Sequence, residues 1–240
     1  MAVKGVQSLA TGLRVLELVS RHQPVGASEV ARLMGLHKSV VHRALITLGE
    51  EGWIRPFGEP PAVRWVVTGR ALSVGSAFAA EAAAREQAHQ LLRQLSAESG
   101  ETVLLSVRDG DRLLVVDAVE STQPLKVTFP VGTSTTVDLE TAAGEALLAG
   151  MADAEVVELL GEEAARAWFP RRADYVRRGY ATQTHPASPL WAVATHLPVA
   201  PDGSAAVVVI AVPQHRCDRA SLERLGERLV ELARITRRTG

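Results

Sequence analysis

The stretch GLHKSVVHRAL, from Gly35 to Leu45, decides how the first part of the chain folds. It sets one lysine, one serine, two histidines and one arginine between leucines. If it belongs to a helix from about Lys38 to Glu50, helical spacing puts Val41, Leu45 and Leu48 on one stripe that can be buried. A second stripe of that helix holds Ser39, His42, Arg43 and Ile46. The polar side chains therefore gather at the amino-terminal half of an outward surface.

The segments on either side complete a small domain. Upstream, SLATGLRVLELVSR has leucines at helical spacing, and SEVARLMG predicts a short second helix that ends at Gly35. GLHK, between the second and third helices, has the length of the turn in a helix-turn-helix. Downstream, WIRPF and VRWVV flank GEPPA, which predicts a hairpin. Together these elements predict a winged helix-turn-helix domain over residues 1–68.

The polar residues of the third helix and the hairpin suit contacts with double-stranded DNA. In a helix-turn-helix the amino-terminal half of that helix enters the major groove, where an arginine can donate two hydrogen bonds to guanine. Serine and histidine can bond base edges or phosphates, and a lysine can neutralise a phosphate. On an isolated helix such residues would simply be solvated; the surrounding helices and hairpin favour DNA. The predicted DNA-binding residues are Lys38, Ser39, His42, Arg43, Arg55 and Arg64.

The rest of the sequence predicts a helical connection and an α+β domain. Residues 69–98 are rich in helix formers and predict one long helix or two nearly continuous ones, with Glu81 and Arg85 placed for an ion pair. TVLLSVRDGDRLLVVDAV predicts a hairpin around Asp109-Gly110, and two further strands flank PDGS. ETAAGEALLAGM, DAEVVELLGEE and the segment from about Asp218 predict helices. Residues 99–240 are therefore expected to form an α+β domain on an antiparallel sheet.

Composition and charge narrow the class of protein. The chain has 240 residues, 47% hydrophobic and 22% charged, and a net charge of −1. The first 70 residues hold nine Lys/Arg and five Asp/Glu, whereas the remaining residues hold 17 Lys/Arg and 22 Asp/Glu. The amino-terminal part is therefore basic and the remainder acidic. AAVVVIAVP is too short to span a bilayer, and MAVKGVQSL lacks the apolar core of a secretion signal. With Cys217 as the single cysteine, we expect a cytoplasmic protein without a disulfide, a cofactor or a membrane partner.

Five segments, in their order and spacing, connect the chain to a known family. In front stands VGASEVARLMGLHKSVVHRALITLGEEGWI; behind come GETVLLSVRDGDRLLVV, TAAGEALLAGM, RRGYA and VVVIAVPQHR. With these segments the chain resembles the IclR-type transcriptional regulators over nearly its whole length. The resemblance implies a winged helix (residues 1–68), a linker helix (69–98) and a GAF-like or PAS-like effector domain (99–240). It also implies binding of operator DNA as a homodimer or dimer of dimers, and control by a small molecule, often an organic or aromatic acid.

The same resemblance supplies an expected effector pocket. By motif, its residues are Ala143, Gly144, Gln183, Trp191, Ala192, Val209 and Ala211. Several family members carry polar residues where this chain has Val209 and Ala211. The apolar wall and Trp191 favour a larger, partly aromatic ligand. Glu145 stands where the family usually has lysine, which can alter the pocket.

Two other classes of function compete with this interpretation. An unusual enzyme in the rear domain would need a nucleophile with a base, paired carboxylates or a metal cluster. Cys217 is alone, and no HxH or HExxH spacing links His185, His196 and His215, so we expect no enzyme. The second class is a dimeric ligand sensor whose winged helix binds a protein; the intact polar stripe argues against it. The basic end ARITRRT is expected to complement a helix dipole rather than bind DNA.

Overall fold

The computed structural model describes residues 5–78, 82–185, 188–197 and 205–236. The chain divides into two compact units, residues 1–80 and 81–240. The predicted Glu81–Arg85 pair, and Arg237 and Arg238 of the basic end, lie outside the described side chains. None of the described helices is long and apolar enough to cross a membrane.

The first unit is a three-helix core followed by a hairpin, as predicted, and it also includes a fourth helix from the first part of the predicted linker region. Its elements are α1 (Gln7–His22), α2 (Ala27–Met34), α3 (Lys38–Glu50), β1 (Ile54–Phe57), β2 (Arg64–Val67) and α4 (Gly69–Phe78). One apolar cluster joins the first three helices and the hairpin, and its fully buried members are Val15, Val19, Val25, Val30, Val41 and Leu45. Because α1, α2 and α3 each place apolar residues at helical spacing, all three can share this small core.

The turn between α2 and α3 depends on Gly35. Its backbone is left-handed, with φ of 63° and ψ of 28°, which glycine adopts without strain. The N–H of Leu36 donates to the carbonyl of Ala31 at 3.1 Å, and the N–H of Gly35 donates to that of Arg32 at 3.3 Å. These bonds satisfy the last carbonyls of α2 and end it sharply. The chain then enters α3 after two residues.

The hairpin is fastened to the helices by a short backbone bridge. Trp65 of β2 donates its N–H to Val25 at 2.8 Å and accepts from the N–H of Val25 at 3.2 Å. In the β1–β2 pairing Ile54 lies opposite Val67, and Arg55 lies opposite Val66. Ile54 and Trp65 are buried on the face toward the helices. The wing is therefore held by its main chain and by two large apolar side chains.

The second unit is built on one six-stranded antiparallel sheet. Its strands are β3 (Thr102–Asp109), β4 (Arg112–Val119), β5 (Ser134–Thr136), β6 (Ala181–Gln183), β7 (Leu190–Leu197) and β8 (Ala206–Pro213). Their order across the sheet is β5-β4-β3-β8-β7-β6. The helices are α5 (Ala82–Ser99), α6 (Ala142–Ala149), α7 (Asp153–Leu160), α8 (Glu162–Arg178) and α9 (Arg219–Thr236). The predicted α+β class and antiparallel sheet are confirmed.

Helices cover both faces of this sheet. On one face α5 and α9 pack on alternating strand residues such as Val103, Val193 and Ile210. On the other face α6, α7 and α8 pack on Leu104, Ala194 and their neighbours. The second half of the predicted linker, α5, thus contributes to the core of the second unit. Helix α8 was not predicted; it contains Pro170, a residue that usually ends or kinks a helix.

Candidate nucleic-acid interface and ligand cavity

Helix α3 separates into a buried face and an exposed face. Val41 and Leu45 have no exposed surface, and Leu48 packs against the same core. On the other side Lys38, Ser39, His42 and Arg43 are all exposed, and Ile46 extends this surface. The division of faces predicted from helical spacing is confirmed. What the exposed residues bind stays a prediction.

His37, which the sequence interpretation did not single out, shapes the start of α3. It precedes the first helical residue, and its ring Nδ1 accepts a hydrogen bond from the backbone N–H of Ser39 at 3.3 Å. The hydroxyl Oγ of Ser39 lies 2.8 Å from the same ring nitrogen. An acceptor side chain at this position satisfies one of the free N–H groups of a helix start. The position just before a predicted helix was the available signal, although histidine is not a preferred residue there.

The two predicted hairpin arginines have different surroundings. In the hairpin register Phe57 lies opposite Arg64, so Arg55, Phe57, Arg64 and Val66 share the outer face. Arg55 is exposed. Arg64 is also exposed, but its guanidinium donates a hydrogen bond to the carbonyl of Pro24 at 2.9 Å. Arg64 therefore helps to hold the wing against the α1–α2 connection, a contact that the sequence did not predict.

The second unit contains an open cavity of about 620 Å³ at the amino-terminal end of α6. Its size is within the range of small-molecule sites. All but one of its lining residues are of polar or charged types: Asp138, Leu139, Glu140, Thr141, Glu145, Arg171, Thr182, Gln183, Thr184, His185 and Ser188. The residues come from the loop before α6, from α6 and α8, and from β6 with the segment that follows it.

Hydrogen bonds fix the wall of this cavity. The carboxylate oxygen Oδ1 of Asp138 accepts from the N–H of Glu140 at 3.0 Å and from the N–H and hydroxyl of Thr141 at 2.9 and 3.0 Å. The Thr141 hydroxyl in turn accepts from the N–H of Gly144 at 3.1 Å and so caps α6. Across the cavity the guanidinium of Arg171 pairs with the carboxylate of Glu145. Glu145, where the family usually has lysine, therefore faces the cavity.

Most of the predicted effector residues lie in the core beside the cavity. Ala192 and Val209 pack with α6 in the cluster on that face of the sheet, and Ala143 packs against its edge. Ala211, opposite Ala192 in the β7–β8 pairing, is 1% exposed. Gln183 is the one predicted effector residue among the described cavity-lining residues. The residues of the predicted apolar wall are thus packed against other parts of the protein, and mostly polar residue types line the open space next to them.

The placement of Trp191 beside Ala192 on one pocket wall is corrected by the strand register. Neighbouring residues of a strand point to opposite faces of its sheet. Ala192 faces α6, whereas Trp191 packs against the cluster formed with α5 and α9. Trp191 therefore gives no support to an aromatic ligand in the cavity.

Gly144 is explained by the backbone next to it. A Cβ at this position would lie 2.0 Å from the carbonyl oxygen of Asp138 and 3.0 Å from its nitrogen. The absence of a side chain lets the start of α6 approach the Asp138 loop closely. Gly144 therefore affects the position of the cavity wall although it is not one of the lining residues.

The residues considered for catalysis are dispersed. His196 lies opposite Val207 at one end of β8, whereas His215 follows the other end of that strand, and His185 lines the cavity. Burial raises the pKa of the Cys217 thiol, with the nearby charges of Asp218 and Glu101 acting in the same direction. A raised pKa disfavours the reactive thiolate. Within the described residues, no group of three or more His, Cys, Asp or Glu side chains is placed to hold a metal ion.

Comparison with known proteins identifies the family. The model of the IclR helix-turn-helix domain matches residues 8–56, and that of the bacterial transcriptional regulator IclR C-terminal domain matches residues 77–186. This chain belongs to the IclR family. The first match covers α1 to α3 and most of β1, and the second covers α5 to α8, so both units are included.

Named relatives agree with this membership. The chain is 33% identical to the acetate operon repressor of Salmonella typhimurium over 166 residues, which are 68% of this chain and 60% of that protein. It is 32% identical to the transcriptional repressor IclR of Escherichia coli, with the same two coverages. The chain therefore spans about 60% of the length of these relatives.

Solved IclR structures share the fold. An IclR transcriptional regulator from Alicyclobacillus acidocaldarius superposes with a TM-score of 0.78 at 22% identity, over 99% of this chain and all of that one. The Thermotoga maritima IclR gives 0.68 at 22% identity, over 97% and 98% of the two chains. At this level of identity the likeness concerns the fold alone.

Proposed function

We propose that this IclR-family chain is a cytoplasmic transcriptional regulator that binds operator DNA through α3 and is controlled by a small molecule in the second unit. The observation that carries the proposal is the exposed cluster of Lys38, Ser39, His42 and Arg43 at the start of α3. It stands on a fully buried apolar face and directly follows the Gly35 turn. This is the arrangement with which a helix-turn-helix enters the major groove. Two relatives are named repressors, which favours repression.

DNA binding is tested by gel-shift titration of the whole protein with the DNA upstream of its own gene. We expect saturable binding. The logarithm of the association constant should fall linearly with the logarithm of the salt concentration, because phosphate contacts release counterions. Substituting Lys38, His42 and Arg43 together by alanine should abolish binding. Arg21→Ala, which removes an exposed arginine from the last turn of α1, is the matched control. Absence of any shift at low salt would refute the DNA-binding proposal and favour a protein-docking role.

The exposed face of α1 supports the proposed homodimer. Val6, Leu9 and Leu13 follow one another at helical spacing and are 65%, 62% and 52% exposed. An apolar stripe of this kind on one side of a helix is typical of a surface that a partner covers. Two copies related by a two-fold axis would present their α3 helices to half-sites roughly 34 Å apart, one turn of DNA.

The cavity supports a small-molecule effector and bears on its charge. The family resemblance implies an organic or aromatic acid. Arg171 and the amino-terminal end of α6 favour an anion, whereas Asp138, Glu140 and Glu145 oppose one. An acid must also compete with Glu145 for Arg171. The charge balance therefore favours an uncharged polar ligand as a second candidate.

Matched pairs of acids and their amides distinguish the two kinds of effector. Thermal-shift titrations would use short-chain and aromatic members on the wild type and on Glu145→Gln. If the effector is an acid, Glu145→Gln should strengthen its binding about tenfold, because a competing negative charge is removed. If the effector is neutral, the amide should bind the wild type more tightly than the matching acid does, and Glu145→Gln should change the affinity for the amide little. Steady chemical consumption of a bound compound would instead favour an enzyme.

A further inference from the structure

The ring of His37 and the hydroxyl of Ser39 form one hydrogen-bonded unit at the start of α3. Both side chains are exposed, and Ser39 lies on the surface proposed to face DNA. Two groups of Ser39 approach the same ring nitrogen, Nδ1: the backbone N–H at 3.3 Å and Oγ at 2.8 Å. The direction of these two bonds decides what Ser39 can offer to a ligand.

The backbone bond fixes the position of the ring proton. A backbone N–H can only donate, so Nδ1 must present its lone pair and the neutral imidazole must carry its proton on Nε2. The single hydrogen between Nδ1 and Oγ then belongs to the hydroxyl, and Ser39 donates to His37. A hydroxyl has one donor and two acceptor lone pairs. Once its proton is used, Ser39 presents acceptor capacity alone.

We propose that His37 is a positioning residue that makes Ser39 an acceptor and so directs it to an amino group of a base. In the major groove adenine N6 and cytosine N4 are the donors, whereas guanine and thymine present only hydrogen-bond acceptors. Phosphate oxygens are acceptors too, so they do not match Ser39 in this state. Ser39 is therefore a base-reading residue that prefers adenine or cytosine. This inference rests on the proposed DNA-binding function.

The geometry is tested on the free protein, without DNA. Two-bond ¹⁵N–¹H correlation spectra at a pH where His37 is neutral identify the ring nitrogen that carries the proton. We expect a proton on Nε2 and none on Nδ1. An Nδ1–H tautomer would overturn the inference, since Ser39 would then be free to donate.

The consequence for recognition is tested by selection from a random duplex library with the whole protein. The contacted position is the one at which Ser39→Ala loses its preference. At that position the wild type should select adenine or cytosine over guanine or thymine by about tenfold. His37→Asn retains an acceptor at the place of Nδ1 and should keep the preference. His37→Gln retains a polar group at the place of Nε2 instead and should lose it.

A double variant separates positioning from a general loss of helix stability. In the Ser39→Ala background, His37→Gln should cause no further change at that position. Equal loss at every position, with a lowered thermal midpoint, would show a merely structural role and overturn the inference. If the wild type binds duplexes but its preference is the same in His37→Gln, this inference alone fails. If the wild type selects no duplex at all, the proposed function fails with it.

Discussion

Arg43 is the side chain whose removal should be most informative. It is exposed on the polar stripe of α3, and its planar guanidinium can donate to two acceptors of one guanine. Arg43→Ala should cost on the order of 1–3 kcal/mol of binding to a selected operator and relax specificity at one position. Competition binding with operators changed at single positions measures both effects. A loss that is equal on all sequences would mean that Arg43 only holds a phosphate.

A second single-residue effect concerns the ion pair between α5 and α9. The carboxylate of Glu98 accepts hydrogen bonds from Arg228 at 2.7 and 2.9 Å and from Gln94 at 3.0 Å. The bonds from Arg228 are the main reason that the pKa of Glu98 falls from about 4.5 to about 2. Because the pKa is lowered in the folded protein, the pair stabilises it above about pH 4.5 and loses that effect as the pH falls through 2.

Arg228→Met should raise the pKa of Glu98 back toward its usual value, which carboxyl ¹³C NMR titration measures. Arg224→Met is the control, since Arg224 of the same helix donates to Ser221 instead. Both partners are 38% exposed, so added salt should weaken the effect of Arg228. An unchanged Glu98 titration in Arg228→Met would refute the pairing in solution.

At the scale of single elements, patterns that span several turns were predictable and local register was not. The stripe of α3 identifies its buried face, because several residues repeat at one period. In α1 the leucine spacing predicts the helix but not its buried face, since Val15 and Val19 are buried whereas Leu9 and Leu13 are more than half exposed. Trp191 and Ala192 show the opposite case. A shift of one residue along a strand moves a side chain to the other face of the sheet, and a short motif does not determine which face each residue takes. Helix α8 was not predicted for a different reason: it contains Pro170, and a proline inside a helix is tolerated only in a supporting tertiary context.

Contacts between distant segments were also beyond sequence reasoning. Nothing in the spacing of Arg64 and Pro24 indicates that one donates to the other across 40 residues. The polar cavity likewise joins α6 and α8 with the end of β6. Motif transfer selected the apolar residues behind the cavity and found Gln183 alone among its described lining residues.

Helix α6 offers a test of how closely its start must approach the Asp138 loop. Gly144→Ala would place a methyl group 2.0 Å from a backbone oxygen that cannot simply rotate away. We expect a loss of about 1–3 kcal/mol in the free energy of unfolding and weaker effector binding. Denaturant titration followed by circular dichroism measures the first effect.

Gly75→Ala is the matched control for that substitution. Gly75 lies in α4, and a Cβ there would meet nothing within 4 Å. Alanine at an open helical position should leave the free energy of unfolding unchanged or raise it slightly. Equal stability of the two variants would contradict the close approach at α6.

For the whole molecule, the central prediction is that assembly and DNA binding depend on α1. Replacing Leu9 and Leu13 together by glutamate puts two charges into the exposed apolar stripe. The proposed homodimer should dissociate, as sedimentation velocity would show, and operator affinity should fall because the two half-sites are no longer bound together. Leu125→Glu, at a 61% exposed site of the second unit, should leave the dimer intact. An unchanged sedimentation coefficient in the double variant would place the dimer contact elsewhere.

The bonds around Asp138 have a consequence for how occupancy of the cavity could be seen. The amide protons of Glu140 and Thr141 are held by one carboxylate oxygen, and all three residues line the cavity. A bound molecule should therefore slow deuterium uptake at these two amides. The amides of Leu147 and Leu148, which are already buried in α6, should show little change in deuterium uptake. Hydrogen–deuterium exchange with candidate compounds and no DNA can thus identify an effector before any operator is known.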